Sequence, residues 1–193
     1  YCYEQHYAQV NPIFVVQVES AKSTEEVSST DLDAVLQTIE SEYGGAFHAH
    51  EVVHTFGSTG TISINGLTVE HVLPEDIVND SRIKVVFSKE NLSTGWDCPR
   101  AEAMMSYRYA QDATYIAQLL GRMIRTPQQR HIDVDDSLNE VRLFLPYFNQ
   151  ETVQKVIDEL LSSECGDVPA DLEAESIGKR RFQKLSVLQT ETS

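Results

Sequence analysis

The chain is short of positive charge. Its 193 residues carry 15 Lys and Arg against 30 Asp and Glu, a formal net charge of −15 at pH 7. A body so charged repels backbone phosphates, which argues against nucleic-acid binding by this chain acting alone. Cysteine is also scarce. Cys2, Cys98 and Cys165 stand singly, none at metal-ligand spacing. That excludes a disulfide framework and fits a reducing cytoplasm. No apolar run approaches the roughly 18–20 residues that span a bilayer, so no membrane partner is expected. No signal peptide opens the chain, and its start at Tyr1 without Met reads as an excised piece of a larger protein. A Gly-x-x-x-x-Gly-Lys-Ser/Thr loop, which would cradle a phosphate chain, occurs nowhere, and neither does an Asp-Glu-x-His-type metal box.

What is present describes an ordinary globular chain, 41% apolar and 23% charged, long enough for one substantial core with a small appendage. Pro12 to Val18 is a continuous β-branched run, the mark of a strand buried on both faces. Thr30-Asp31 offers an N-cap before Leu32, Val35, Leu36 and Ile39, a helical stripe that ends near Tyr43-Gly44-Gly45. Glu51 to His54 is a second short strand. Thr61 to Glu70 alternates around Asn65-Gly66, a β-hairpin signal, and reads as an insertion spanning about 57–80. Pro74-Glu75-Asp76-Ile77 opens a short helix. Ile83 to Phe87 and Glu102 to Tyr107 are further strands, and Val141 to Leu145 is a last one. Gln150 to Leu161 is an amphipathic helix. Strands alternating with helices imply an α/β fold, a parallel sheet wrapped by helices with right-handed connections.

Two segments carry chemistry. Gln118, Arg122 and Arg125 fall at i, i+4 and i+7, so a helix sets all three on one face. Leu119, Leu120, Met123 and Ile124 fill much of the opposite face. Two guanidiniums in register suit a phosphate chain. A solvated amphipathic face is the plain alternative, yet Gly121 sits mid-helix, where it costs roughly 1 kcal/mol relative to Ala and permits close backbone approach. The second segment, Ser93-Thr94-Gly95-Trp96-Asp97, is a glycine turn with an acid. It precedes the 102–107 strand, which leads into the arginine helix. That order suits the nucleotide edge of an open α/β sheet.

Gln118-Leu-Leu-Gly-Arg-Met-Ile-Arg125 resembles motif VI of superfamily 2 helicases and translocases. Asn91-Leu-Ser-Thr-Gly-Trp-Asp97 resembles their motif V. The Gly-Trp-Asp variant, with Thr126-Pro127 after the arginines, is most similar to the motor subunits of type III restriction enzymes. The resemblance is strong over 83–127, weaker over 12–54 and absent after about 163. It implies a second RecA-like domain over residues 1–163. Residues 164–193 would then be an acidic, polar extension or the start of a following domain. The phosphate loop and metal box of this family belong to its first motor domain. ATP with Mg²⁺ would therefore be held mainly by a first RecA-like domain of the same polypeptide.

On that resemblance Arg122 and Arg125 are the catalytic arginines, supplied across a cleft to stabilise the transferred phosphoryl group. Gln118 and Gly95 are expected at the nucleotide. Asp97 is expected to accept a hydrogen bond from ribose or to bind an arginine, with a capping role as its alternative. Ser20, Ser88 and Lys89 lie roughly where the family contacts nucleic-acid phosphates. The polymer is expected to be DNA, with RNA as the alternative, and a modification subunit is a further candidate partner. The net acidity supports a rival reading, a RecA-like interaction module without ATPase activity. Cys98 reads as a small packing residue. The spacing of His48, His50 and His54 raises a metal reading, but with no cysteine nearby no metal site is expected.

Overall fold

The structure is a computed structural model and describes residues 11–21, 27–57, 60–89, 92, 96, 98, 100–108, 140–147, 151, 155, 170–177 and 182–189. It is an α/β fold built on one mostly parallel sheet. The strands are β1 (Ile13–Gln17), β2 (Val52–His54), β3 (Ile62–Ile64), β4 (Leu67–His71), β5 (Val85–Ser88), β6 (Ala101–Ser106), β7 (Glu140–Phe144), β8 (Ala170–Ile177) and β9 (Phe182–Gln189). The helices whose full span is described are α1 (Leu32–Tyr43) and α2 (Pro74–Ile77). Among the described residues no helix is long and apolar enough to cross a membrane.

Local chemistry sets the ends of these elements. Asp31 caps α1 by accepting a hydrogen bond from the Ala34 amide at 3.0 Å. Gly44 closes the helix in the left-handed region at φ 83° and donates back to the Glu40 carbonyl. The hairpin between β3 and β4 turns on Asn65 and Gly66, both at positive φ (49° and 77°), the geometry that matches strand twist in a two-residue loop. The turn is also docked. The Asn65 amide donates to Asp33, and its side chain donates to Glu40 at 2.9 Å, so the hairpin leans on α1.

The strands run in the order β3-β4-β2-β5-β1-β6-β7-β9-β8. From β4 to β7 all neighbours are parallel. The pairs β3–β4, β7–β9 and β9–β8 are antiparallel. Side chains alternate between the two faces. On one face Val16, Val18, Val85 and Phe87 pack with Val35 and Leu36 of α1, together with Ile64 and Val69 of the hairpin. On the other, register aligns Val53, Val86, Val15, Met104 and Leu143 across five strands. All five are buried. Full burial of such side chains contributes roughly 1.5–3 kcal/mol each, which makes this row a main support of the sheet.

Two segments differ from the sequence-based expectation. The hairpin expected as an insertion supplies a member of the main sheet, because β4 pairs in parallel with β2. The strand expected to be last, β7, is followed by β8 and β9, and β9 pairs with it. The polar composition from residue 164 onward gives these two strands no apolar run to mark them. The arginine helix and most of the Gln150–Leu161 helix lie outside the described residues. Within the latter, Glu151 and Lys155 are helical and exposed.

Candidate functional site at the carboxyl edge of the sheet

Two residues beyond the apolar row, on the same face, the sheet changes chemistry. Register sets Ser88, Gln17 and Ser106 side by side at the ends of β5, β1 and β6. Each is at most 1% exposed. His54 and Thr55, at the end of β2, are buried as well. These five are the buried polar residues among those described, and every one lies at the carboxyl end of a central strand. A buried polar group costs stability unless it is hydrogen-bonded, so the bonds here define the site.

Gln17 joins both neighbours. Its Oε1 accepts from the Ser106 hydroxyl at 2.7 Å, and its Nε2 donates to the Lys89 carbonyl at 2.9 Å. Its backbone carbonyl accepts from the Tyr107 amide, and the next amide, Val18, donates to the Ser88 carbonyl, both at 2.8 Å. The strand order adds meaning. From β1 the chain proceeds to β2 on one side, and from β6 it proceeds to β7 on the other. Adjacent parallel strands whose connections diverge leave a crevice at their carboxyl ends, the usual ligand position in open α/β sheets. The Gln17–Ser106 bond lies at that divergence.

The end of β2 is neutral too. The Phe56 amide donates to His54 Nδ1 at 3.2 Å, so Nδ1 is the acceptor. Nε2 therefore carries the proton and donates to the Gly60 carbonyl at 3.0 Å. Burial favours this uncharged ring and pushes its pKa below the ordinary histidine value, a shift the nearby His71 and Lys89 reinforce. The His71 ring stands edge-on at 5.4 Å. Lys89 holds its ammonium over the Phe56 ring, 5.0 Å from the centroid, at the rim of the site.

The residues expected at nucleic acid fall at three different depths. Ser20 is exposed and forms a bridge with Ser28 beyond the end of β1. Ser88 is buried within β5, and Lys89 is half-buried just after it. Gly95, Asp97, Gln118, Arg122 and Arg125 lie outside the described residues. Around the glycine turn, Leu92, Trp96 and Cys98 are buried, and the Trp96 indole donates to the Pro74 carbonyl at 3.1 Å. Burial pushes the Cys98 thiol above its ordinary pKa, as suits a packing residue. The three clustered histidines go separate ways. His54 is buried as described, His50 meets Glu70 at 3.0 Å, and the His48 amide donates to Glu51. Gln17, Ser106 and Thr55 escaped the sequence reading, and His54 entered it only as a metal candidate.

The opposite edge of the sheet is built differently. Lys84 pairs with Glu51 at 2.7 Å and donates to the Tyr43 hydroxyl at 3.0 Å. The bond to Lys84 lowers the Glu51 pKa, and the bond to Glu51 raises that of Lys84. Arg82 grips Asp80 with two guanidinium nitrogens, at 2.9 and 2.7 Å, pulling the Asp80 carboxyl down to about 2. Arg100 donates to the carbonyls of Asn11, Ile77 and Asp80. A cavity of about 930 Å³ opens beside α1, lined by apolar side chains such as Phe14, Val16, Ile39, Met105 and Phe144. It lies on the α1 face, away from the polar row. No family model, no curated protein and no solved structure matches the chain.

Proposed function

We propose that the chain is the second RecA-like domain of an ATP-dependent superfamily 2 DNA translocase or helicase of the restriction-enzyme type. The observation that carries the reading is the ordered pair of motif-like segments, Asn91–Asp97 and Gln118–Arg125. The first follows the carboxyl end of β5 and the second follows the carboxyl end of β6, strands that flank β1. The buried polar set at that edge contains no carboxylate, although the chain as a whole has 30 acids. Among the described residues, the buried polar groups of this edge add no negative charge to oppose a phosphate.

In this role Arg122 and Arg125 stabilise charge on the phosphoryl group as it transfers, and Gln118, Gly95 and Asp97 line the nucleotide. ATP and Mg²⁺ sit mainly on a partner domain carrying the phosphate loop. Ser20 and Lys89, with the backbone near Ser88, track a strand. The test is nucleic-acid-stimulated ATP hydrolysis by the polypeptide that joins this chain to a phosphate-loop domain. This chain alone has no such loop and is expected to show no Mg²⁺-dependent turnover. A net charge of −15 favours one other reading, a RecA-like interaction module. Absence of stimulated hydrolysis in the joined polypeptide would select it.

A further inference from the structure

We propose that Gln17 is a positioning residue that couples the two motif-like segments by fixing where each leaves the sheet. The inference rests on the motor reading for its consequence, though not for its geometry. Gln17 sits in the central strand, between the ends of β5 and β6. Its Nε2 holds the Lys89 carbonyl, the point from which the Asn91–Asp97 segment departs. Its Oε1 holds the Ser106 hydroxyl, and its own carbonyl holds the Tyr107 amide, where the chain sets out toward Gln118–Arg125. One buried side chain therefore restrains both exits at once.

The chemistry requires an amide. The position needs a donor toward Lys89 and an acceptor toward Ser106 on one side chain. Glutamate supplies only acceptors when ionised. Methionine has nearly the same length and supplies neither bond. A buried network of this kind is costly when half satisfied, so a shift at one exit is felt at the other. Movement of the segment nearer the polymer thereby bears on the arginines nearer the nucleotide, and the coupling runs through a residue that touches neither ligand.

Two measurements test this. The first is hydrogen exchange on this chain. Gln17→Met is expected to speed exchange about tenfold in the residues that follow both Lys89 and Tyr107, while α1 and the β3–β4 hairpin keep the exchange of the unmodified chain. Ser106→Ala leaves the Lys89 bond and is expected to loosen the β6 exit alone. Uniformly faster exchange, or none, overturns the proposal whatever the protein's activity. The second is hydrolysis in the joined polypeptide. Gln17→Met is expected to lower the nucleic-acid-stimulated kcat about tenfold, within the usual range of coupling between sites, with the KM for ATP held. Gln17→Glu is expected to recover rate as pH falls from 8 to 6, because only the protonated carboxyl can donate to Lys89. A pH profile parallel to that of the unmodified protein overturns the coupling role. A joined polypeptide without stimulated hydrolysis overturns the motor reading instead, and the exchange result still judges the geometry.

Discussion

The two edges of this sheet solve one problem with different chemistry. At the amino edge, charges do the holding. Glu51 pairs with Lys84, Asp80 with Arg82, and Arg100 gathers three carbonyls. At the carboxyl edge the buried polar groups are an amide, three hydroxyls and a neutral imidazole. The amino-edge ion pairs remain partly exposed, where water and salt screen them. The carboxyl-edge groups are withdrawn from water, where each bond is stronger and each missing bond costs more. The difference separates tasks. The charged edge holds its loops with ion pairs, and the buried polar groups described at the carboxyl edge hold theirs without charge.

The widest separation of the two edges is expected from the arginines that follow β6 in sequence. In the joined polypeptide, Arg125→Ala should cut hydrolysis by about 10³–10⁵, as loss of an arginine finger does, with melting unchanged. Arg122→Ala should act similarly, and Arg130→Ala, beyond Pro127, should do little. A loss of rate matched by a loss of melting temperature would collapse the distinction between the edges.

Arg100→Met probes the other side. It strips charge-assisted bonds from three carbonyls, a change expected to cost about 3 kcal/mol in the urea unfolding of this chain. Hydrolysis by the joined polypeptide below its melting range should be retained. A folded Arg100→Met variant that lost its rate would assign function to the amino edge.

Protonation offers a gentler probe of the neutral edge. The folded pKa of His54 lies below the unfolded value of 6.5. Between those two values the unfolded chain binds more protons, so stability falls as pH drops through 6.5 toward the folded pKa and is complete above it. The urea midpoint should follow that slope between pH 7 and 5, and His54→Gln should flatten it. The smallest effect belongs to Glu51→Gln. Its partner Lys84 has a side chain 31% exposed, so a loss of about 0.5–1 kcal/mol is expected, shrinking with added salt. A larger loss at high salt would mean the pair is more than a screened surface contact.

Where sequence was informative, the cause was local. Asp31 and Gly44 mark the ends of α1 because capping needs only residues three or four apart. Asn65-Gly66 announces the hairpin because few other pairs accept two positive φ angles. The central strand was legible as an apolar run, yet that same run concealed Gln17. Its partners lie 72 and 89 positions further along, and only parallel register brings them together. The strand β8 was legible in principle, since Asp171-Leu172-Glu173-Ala174-Glu175 alternates polar and apolar residues. Its three acids within eight residues outweigh that pattern and give it the composition of a solvated tail. The arginines, the glycine turn and Gln118 rest on motif spacing, and the described geometry reaches only the strand ends that precede them.

The position of β1 has a consequence for how the chain is made. It precedes both of its neighbours by a long stretch of chain, since β5 and β6 come after β2, β3 and β4. The hairpin can close at once, on the microsecond scale common to such units. The sheet's middle must wait for two long loops to close, the kind of topology that folds slowly. Until residue 106 is synthesised, Ile13–Gln17 stays an apolar ribbon with at least one open side. A nascent chain stalled between β1 and β5 would leave both sides of this ribbon open to wrong pairing.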